Sequence, residues 1–177
     1  MNSEEKQRIG SIIQAIGTVI SAYANTPNQY LNDTFLDDLD LIGNALQATG
    51  NTLIADGQEP FTLSRIGNEV QAAGNTTVIA GMIMPFKDRT KQVLNIKGNL
   101  LQSFGAGIEL GDELDEKPSL NKAINVISNV LQVAGNALQA LGGKYELDYP
   151  NGDTEYSQSL ILAGSWIQAV GAVLSTL

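Results

Sequence analysis

The chain has 177 residues, enough for one domain with a sizeable core, and 43% of its residues are hydrophobic. Nineteen acidic and ten basic residues give a net charge of −9, which argues against nucleic acid as a partner because phosphate binding needs clustered Lys and Arg. Histidine and cysteine are both absent, so the chain has no disulfide and lacks the commonest general base and transition-metal ligands.

Six helices are predicted in chain order, separated by connectors rich in Pro, Gly and Asn. The connectors are "NTPNQY" at 25–30, "DGQEPFT" at 56–62, "MPFKD" at 84–88, "DEKPS" at 115–119 and "GGKYELDYPNGDTE" at 142–155. Ser119, and either Thr62 or Ser64, are the expected N-caps. We predict an all-α fold, a six-helix bundle of antiparallel, closely packed helices in a single domain, residues 1–177. The helices are expected near 4–24, 32–55, 62–83, 89–113, 119–141 and 154–176.

An eight-residue string with the pattern Gly-Asn-x-x-Gln-x-x-Gly, in which Ser can replace Asn, recurs in every predicted helix. The copies are "GSIIQAIG" from Gly10, "GNALQATG" from Gly43, "GNEVQAAG" from Gly67, "GNLLQSFG" from Gly98, "SNVLQVAG" from Ser128 and "GSWIQAVG" from Gly164. The copy at Ser128 departs from the pattern because Ser replaces its first glycine. Successive glutamines lie 24 to 36 residues apart, a spacing that indicates helices joined by loops of variable length.

Glycine recurs at a spacing of seven, and fourteen of the eighteen glycines share it. Because a glycine inside a helix loses about 1 kcal/mol relative to alanine, we interpret these positions as close contacts between helices. The spacing predicts a seam with glycine at position a, an aliphatic residue at position d and gently left-handed packing. The predicted helix-contact residues are Gly10, Gln14, Gly17, Gly43, Gln47, Gly50, Gly67, Gln71, Gly74, Gly98, Gln102, Gly105, Gln132, Gly135, Gly142, Gly164, Gln168 and Gly171.

The polar residues of the string have several interpretations. The glutamine is a helix former at the flank of the seam, a partly buried amide that fixes register by hydrogen bonds, or part of a ligand-binding stripe. The Asn or Ser after each glycine is expected to face away from the seam, where it is either solvated or bonded to a nearby carbonyl. Trp166 is expected in the core, and an exposed Trp166 would instead indicate a partner site.

No catalytic or cofactor motif is present: the P-loop, the dinucleotide fingerprint, Glu-x-x-His and the nucleophile elbow are all missing. We therefore predict no enzyme activity, no cofactor and no strong metal site. Two acidic groups could attract a divalent cation weakly, although a solvated helix end and a polar turn explain them more simply. They are Glu109, Asp112, Glu113, Asp115 and Glu116, and Asp148, Asn151, Asp153 and Glu155.

Two stretches, residues 9–32 and 157–177, carry no charge and exceed the roughly 20 residues that span a bilayer. Both are diluted by Gln, Asn, Ser, Thr and Gly, so buried helices are the preferred interpretation. The N-terminal "MNSEEKQRIGSIIQAIG" lacks the features of a signal peptide. We expect a cytoplasmic location, with leaderless export left open.

On its Gly-Asn-x-x-Gln-x-x-Gly strings, the chain resembles a family of uncharacterised "repetitive proteins" from spore-forming Gram-positive bacteria, over nearly its whole length. This resemblance implies no catalytic residue. We expect a non-enzymatic helical protein with a structural or protein–protein interaction role, whose partner is itself or another protein. The alternative is a membrane-active protein that inserts its uncharged helices into lipid, as helical pore-formers do.

Overall fold

The protein is built from six α-helices, which confirms the predicted all-α fold, and no strand occurs in residues 1–115 and 118–177. Those residues are the ones that the computed structural model describes. The helices are α1 (Ser3–Ala24), α2 (Asp33–Gly57), α3 (Leu63–Ile83), α4 (Asp88–Asp115), α5 (Leu120–Asp148) and α6 (Thr154–Leu174).

Polar side chains fix where the helices begin. Thr62 and Ser119 are N-caps, as predicted, and their hydroxyls accept the backbone N–H of the third residue of α3 and α5 at 3.2 and 3.1 Å. Asn2 and Glu5 form a capping box at α1. These bonds satisfy backbone donors that a helix start would otherwise leave unpaired.

Helix α5 is longer than predicted. It continues to Asp148 and so includes the first half of the expected connector at 142–155. Gly143 remains helical and lies against α4, where an added Cβ would be 3.1 Å from Ile96 Cγ1. The helix ends just before Pro150, whose ring disfavours a helical conformation in the preceding residue. Glycine at this position marks a helix contact and not a turn.

The six helices form a closed ring. Each helix packs against its neighbours in sequence, and α1 packs against α6. Among the described residues, no other pair of helices has Cα atoms within 8 Å. Helices that are not adjacent in the ring therefore meet only through their side chains. We call the end of the ring that carries the N-termini of α2, α4 and α6 the second end.

Glycines bring the helices close together within the hairpins α1–α2, α3–α4 and α5–α6. A Cβ added to any of the fourteen glycines at the seven-residue spacing would lie within 3.2 Å of an atom of the neighbouring helix. The contacts are reciprocal: a Cβ on Gly10 would be 2.7 Å from the carbonyl oxygen of Gly50, and one on Gly50 would be 2.6 Å from that of Gly10. Where Ser128 replaces glycine, its hydroxyl donates to the carbonyl oxygen of Gly171 at 2.8 Å. The seam therefore stays closely packed at this copy too.

Candidate functional site

Buried glutamines meet in the centre of the ring. Gln168 Nε2 donates to Gln47 Oε1 at 2.9 Å and to Gln102 Oε1 at 3.2 Å, and Gln168 Oε1 accepts from Gln139 Nε2 at 2.8 Å. A further bond joins Gln14 Nε2 to Gln132 Oε1 at 3.1 Å. Three of these bonds join helices that have no backbone contact: α6 with α2, α6 with α4, and α1 with α5. The geometry is that of amides bonded to one another, the second of the three interpretations.

Asparagines also line the interior, so the expectation that the residue after each glycine faces solvent is wrong, whereas the alternative, a bond to a nearby carbonyl, is confirmed at several positions. In a ring, the glycine occupies the contact with one neighbour, and the next residue turns towards the inside of the ring. The side chains of Asn68, Asn75 and Asn136 donate to the backbone carbonyl four residues earlier. The buried asparagines, each at most 7% exposed, are Asn44, Asn51, Asn68, Asn75, Asn99, Asn129 and Asn136.

Many of the large apolar side chains lie on the outside of the ring. Buried hydrophobic residues are few in the described chain: seven alanines and Ile54, Val78 and Ile96, against nineteen buried polar residues. Three adjacent helices of the ring, α5, α6 and α1, carry exposed large apolar side chains, and we call this surface the apolar face. It consists of Ile127, Val130, Leu141, Trp166, Val170, Val173, Ile9, Ile12, Ile16, Val19 and Tyr23, each 37–58% exposed. The uncharged stretches at 9–32 and 157–177 are thus neighbours in the fold.

Trp166 belongs to this face and not to the core, which corrects the prediction. It is 41% exposed, and its Nε1 donates to Thr26 Oγ1, just beyond α1, at 3.0 Å. On the other side of the ring, charged residues interrupt the outer surface, because Glu69 of α3 and Lys97 of α4 are both exposed. The outer surface is therefore apolar on one side and mixed on the other.

A cavity of about 390 Å³ opens at the second end of the ring. Asp37 and Asp40 come from the second turn of α2 and Lys91 from the first turn of α4, and with Glu146, near the end of α5, they form its mouth. Amides of the central glutamine group form its floor. The cavity therefore joins a charged rim to a neutral, hydrogen-bonding interior.

Two carboxyl groups have raised pKa values. Burial raises the pKa of Asp40 to about 6, although hydrogen bonds from Ser21 and Asn44 act in the opposite direction. At the other end of the ring, burial raises the pKa of Glu109 to about 8, against hydrogen bonds from Gln71 and Asn68. Both groups stabilise the fold best when they are protonated.

The sequence matches a family of unknown function, DUF6944, over residues 5–176, a range that spans all six helices. The chain belongs to this family. No match is found among the curated proteins or among the solved structures. Because the DUF6944 family carries no assigned activity, any function has to be argued from the geometry of the ring.

The acidic groups considered for a divalent cation do not form a metal-binding cluster among the described residues of this DUF6944 protein. No group of three or more His, Cys, Asp or Glu residues that could hold a metal ion occurs in residues 1–115 and 118–177. Asp112 accepts from the backbone N–H and the hydroxyl of Ser64 at 3.1 and 2.6 Å, and Asp153 is the N-cap of α6. Glu116 lies outside the described residues, as does the side chain of Asp115.

Sequence reasoning missed part of the amide centre. Gln139 belongs to "GNALQALG" at 135–142, which nearly repeats "GNALQATG" at 43–50, so this second string within α5 was the available signal. Gln71, in contrast, lies apart from the central group and donates to Glu109. The glutamines of the string are therefore all buried, but they do not all bond to one another.

Proposed function

We propose that this protein is a non-enzymatic structural protein that associates with further copies of itself through the apolar face. The observation that carries the proposal is a set of exposed large apolar side chains on three adjacent helices, in stretches of the sequence that carry no charge. Buried amides occupy the interior, where a soluble monomer would normally place its apolar residues. A protein with this arrangement needs something to cover its outer surface.

The size of the face is that of a protein–protein interface. Eleven large side chains at 37–58% exposure amount to on the order of 1,000 Å², taking roughly 200 Å² for a large side chain. A soluble monomer rarely exposes a contiguous apolar patch above about 300–600 Å². Stable interfaces bury about 800 Å² on each partner. The apolar face is therefore large enough for a specific dimer.

Charge favours a second copy over a membrane as the occupant. The face draws on residues 9–32 and 157–177, which carry no charge, so two copies can meet there without opposing their charges. A net charge of −9 disfavours approach to anionic lipid. The exposed charges of Glu69 and Lys97 on the far side would be unfavourable in hydrocarbon if lipid surrounded the whole ring.

The membrane-active alternative has one observation in its favour. Among the described helices, α6 alone is long and apolar enough to cross a bilayer, by length and composition. It also contributes Trp166, Val170 and Val173 to the apolar face.

The chain also resembles the repetitive proteins of spore-forming Gram-positive bacteria through its glycine and glutamine motif. It stays a prediction that these proteins and the DUF6944 family are the same.

Sedimentation velocity over a range of micromolar concentrations tests the proposal. The double variant Ile16→Lys/Val170→Lys places two charges on the apolar face, whereas Thr76→Lys/Leu100→Lys places two on the exposed surfaces of α3 and α4. We expect the wild type and the second variant to form dimers or larger species, and the first variant to be a monomer with an unchanged helical circular dichroism spectrum.

A wild type that remains monomeric at every concentration would overturn self-association. Flotation with phosphatidylcholine vesicles then separates the two readings of the face. Co-flotation of the monomer, lost in Ile16→Lys/Val170→Lys, would favour the membrane-active alternative.

A further inference from the structure

The cavity at the second end combines three kinds of surface. Its mouth has three carboxyl groups and one ammonium group, its walls include apolar side chains, and its floor is made of amides. From this combination we propose that the cavity binds a small linear amino alcohol, with the ammonium group at the mouth and the hydroxyl group at the floor. The proposal does not depend on self-association, because the cavity opens at the end of the ring and the apolar face lies on its side.

The mouth selects a cation. Asp37, Asp40 and Glu146 outnumber Lys91, so the rim is negative when its carboxyl groups are ionised. Asp40 and Glu146 come from α2 and α5, two helices that are not neighbours in the ring. An ammonium group donates three hydrogen bonds and is attracted to carboxylates, so it fits between such groups.

The floor selects a neutral group that both donates and accepts. Asn99, Gln102 and Gln139 are 7, 2 and 9% exposed and line the cavity. Asn99 Nδ2, Gln102 Oε1 and Gln139 Nε2 are hydrogen-bonded, but the other polar atom of each amide has no partner among the described residues. The floor thus offers two acceptor oxygens and one donor nitrogen, and a hydroxyl group can bond to both kinds of atom.

The distance between mouth and floor sets the length of the ligand. Glu146 of the mouth and Gln139 of the floor are seven residues apart on α5, about 10 Å along the axis. An extended chain of seven carbon atoms, together with its terminal nitrogen and oxygen, covers roughly that length. Val78, Met82 and Ile161 supply an apolar wall for its methylene groups. The volume of about 390 Å³ lies within the range of small-molecule sites.

Isothermal titration calorimetry with 7-amino-1-heptanol tests the proposal directly. The cavity variant Asp40→Asn/Glu146→Gln and the control Asp38→Asn/Glu155→Gln each remove two charges near the second end, but only the first pair lines the cavity. We expect the wild type and the control to bind with similar affinity. Binding to the cavity variant should be at least about tenfold weaker, since one charge-assisted hydrogen bond is worth that much or more.

Two further probes and one floor variant isolate the two ends of the ligand. 1,7-Heptanediol, which lacks the ammonium group, should not bind, and 1-aminoheptane should bind more weakly than the amino alcohol. Gln139→Leu should weaken binding of the amino alcohol but leave 1-aminoheptane unchanged, because only the hydroxyl group contacts the floor.

The proposal is overturned if the wild type gives no binding heat, if both double variants lose affinity equally, or if the amino alcohol and 1-aminoheptane bind alike. Should Asp40→Asn/Glu146→Gln fail to fold, Asp37→Asn replaces it, because Asp37 is an exposed residue of the same mouth.

Discussion

Helix α4 contains two glycines that lie two residues apart and face different surroundings. A Cβ added to Gly105 would lie 2.5 Å from the carbonyl oxygen of Gly67 and 2.9 Å from the backbone nitrogen of Gln71. A Cβ added to Gly107, which is exposed, would have Val133 Cγ2 at 4.0 Å as its nearest neighbour. Substituting alanine at each position therefore separates helix packing from helix propensity within one helix.

The two substitutions should change stability in opposite directions. Alanine is favoured over glycine in a helix by about 1 kcal/mol, so Gly107→Ala should raise the free energy of unfolding by up to that amount. At Gly105 the same gain is opposed by contact with backbone atoms, which cannot rotate away. The 2.5 Å separation must open to about 3.4 Å before contact is ordinary. With overpacking at about 1–3 kcal/mol, and more where backbones must separate, we expect a net loss of about 2–3 kcal/mol.

Thermal unfolding followed by circular dichroism measures both effects. For a chain of this size, 1 kcal/mol shifts the melting temperature by about 2–4 °C, so Gly105→Ala should melt about 5–10 °C below the wild type. Gly107→Ala should melt at or slightly above the wild-type temperature. Protein concentration must be the same throughout, because association stabilises the folded state. Equal melting temperatures for the two variants would refute the role assigned to the glycine seam.

Two further predictions concern polar groups in the interior. Because the folded-state pKa of Glu109 is raised to about 8, its contribution to stability is complete below the unfolded value near 4.5 and is lost as the pH rises through 8. Glu109→Gln should therefore stabilise the protein at pH 8 by on the order of 1–3 kcal/mol. It should also flatten the pH dependence of the free energy of unfolding in urea. The control Glu59→Gln, in an exposed connector, should produce neither change. Gln168→Leu removes one hydrogen bond from each of three neighbouring glutamines and should lower the free energy of unfolding by about 2–4 kcal/mol. Gln158→Leu on the exposed surface of α6 should have little effect. A pH profile unaltered by Glu109→Gln, or equal stability of the two glutamine variants, would contradict these expectations.

The six helices follow from patterns that are local in the sequence. Proline-containing connectors separate them, and capping residues such as Thr62 and Ser119 fix where they begin. The spacing of seven also singles out Gly105 and leaves out Gly107 of the same helix. Local chemistry is sufficient here, because a cap or a helix-breaking residue acts within a few residues of its own position.

The inside and outside of the ring could not be derived in the same way. A period near seven shows which residues share a side of a helix, but not which side faces inwards. Hydrophobicity normally decides that question, and it misplaces Asn68 and Trp166 here because neutral amides fill the interior. Amides carry no charge, so they can be buried where each one finds a partner. Those partners lie on distant helices, as Gln168 and Gln47 show, and depend on closure of the ring.

The composition of the interior has a consequence for stability. Seven of the ten fully buried hydrophobic residues described are alanines, and the large apolar side chains mostly keep part of their surface in water. Close contact between backbones and hydrogen bonds between amides add to this partial burial, and the net worth of each bond is only about 1 kcal/mol. Covering the apolar face would therefore add a large share of the total stability. If a second copy covers it, the melting temperature should rise with protein concentration in the wild type and not in Ile16→Lys/Val170→Lys. A melting temperature of the wild type that does not depend on concentration would mean that the single ring is stable with its apolar face in water.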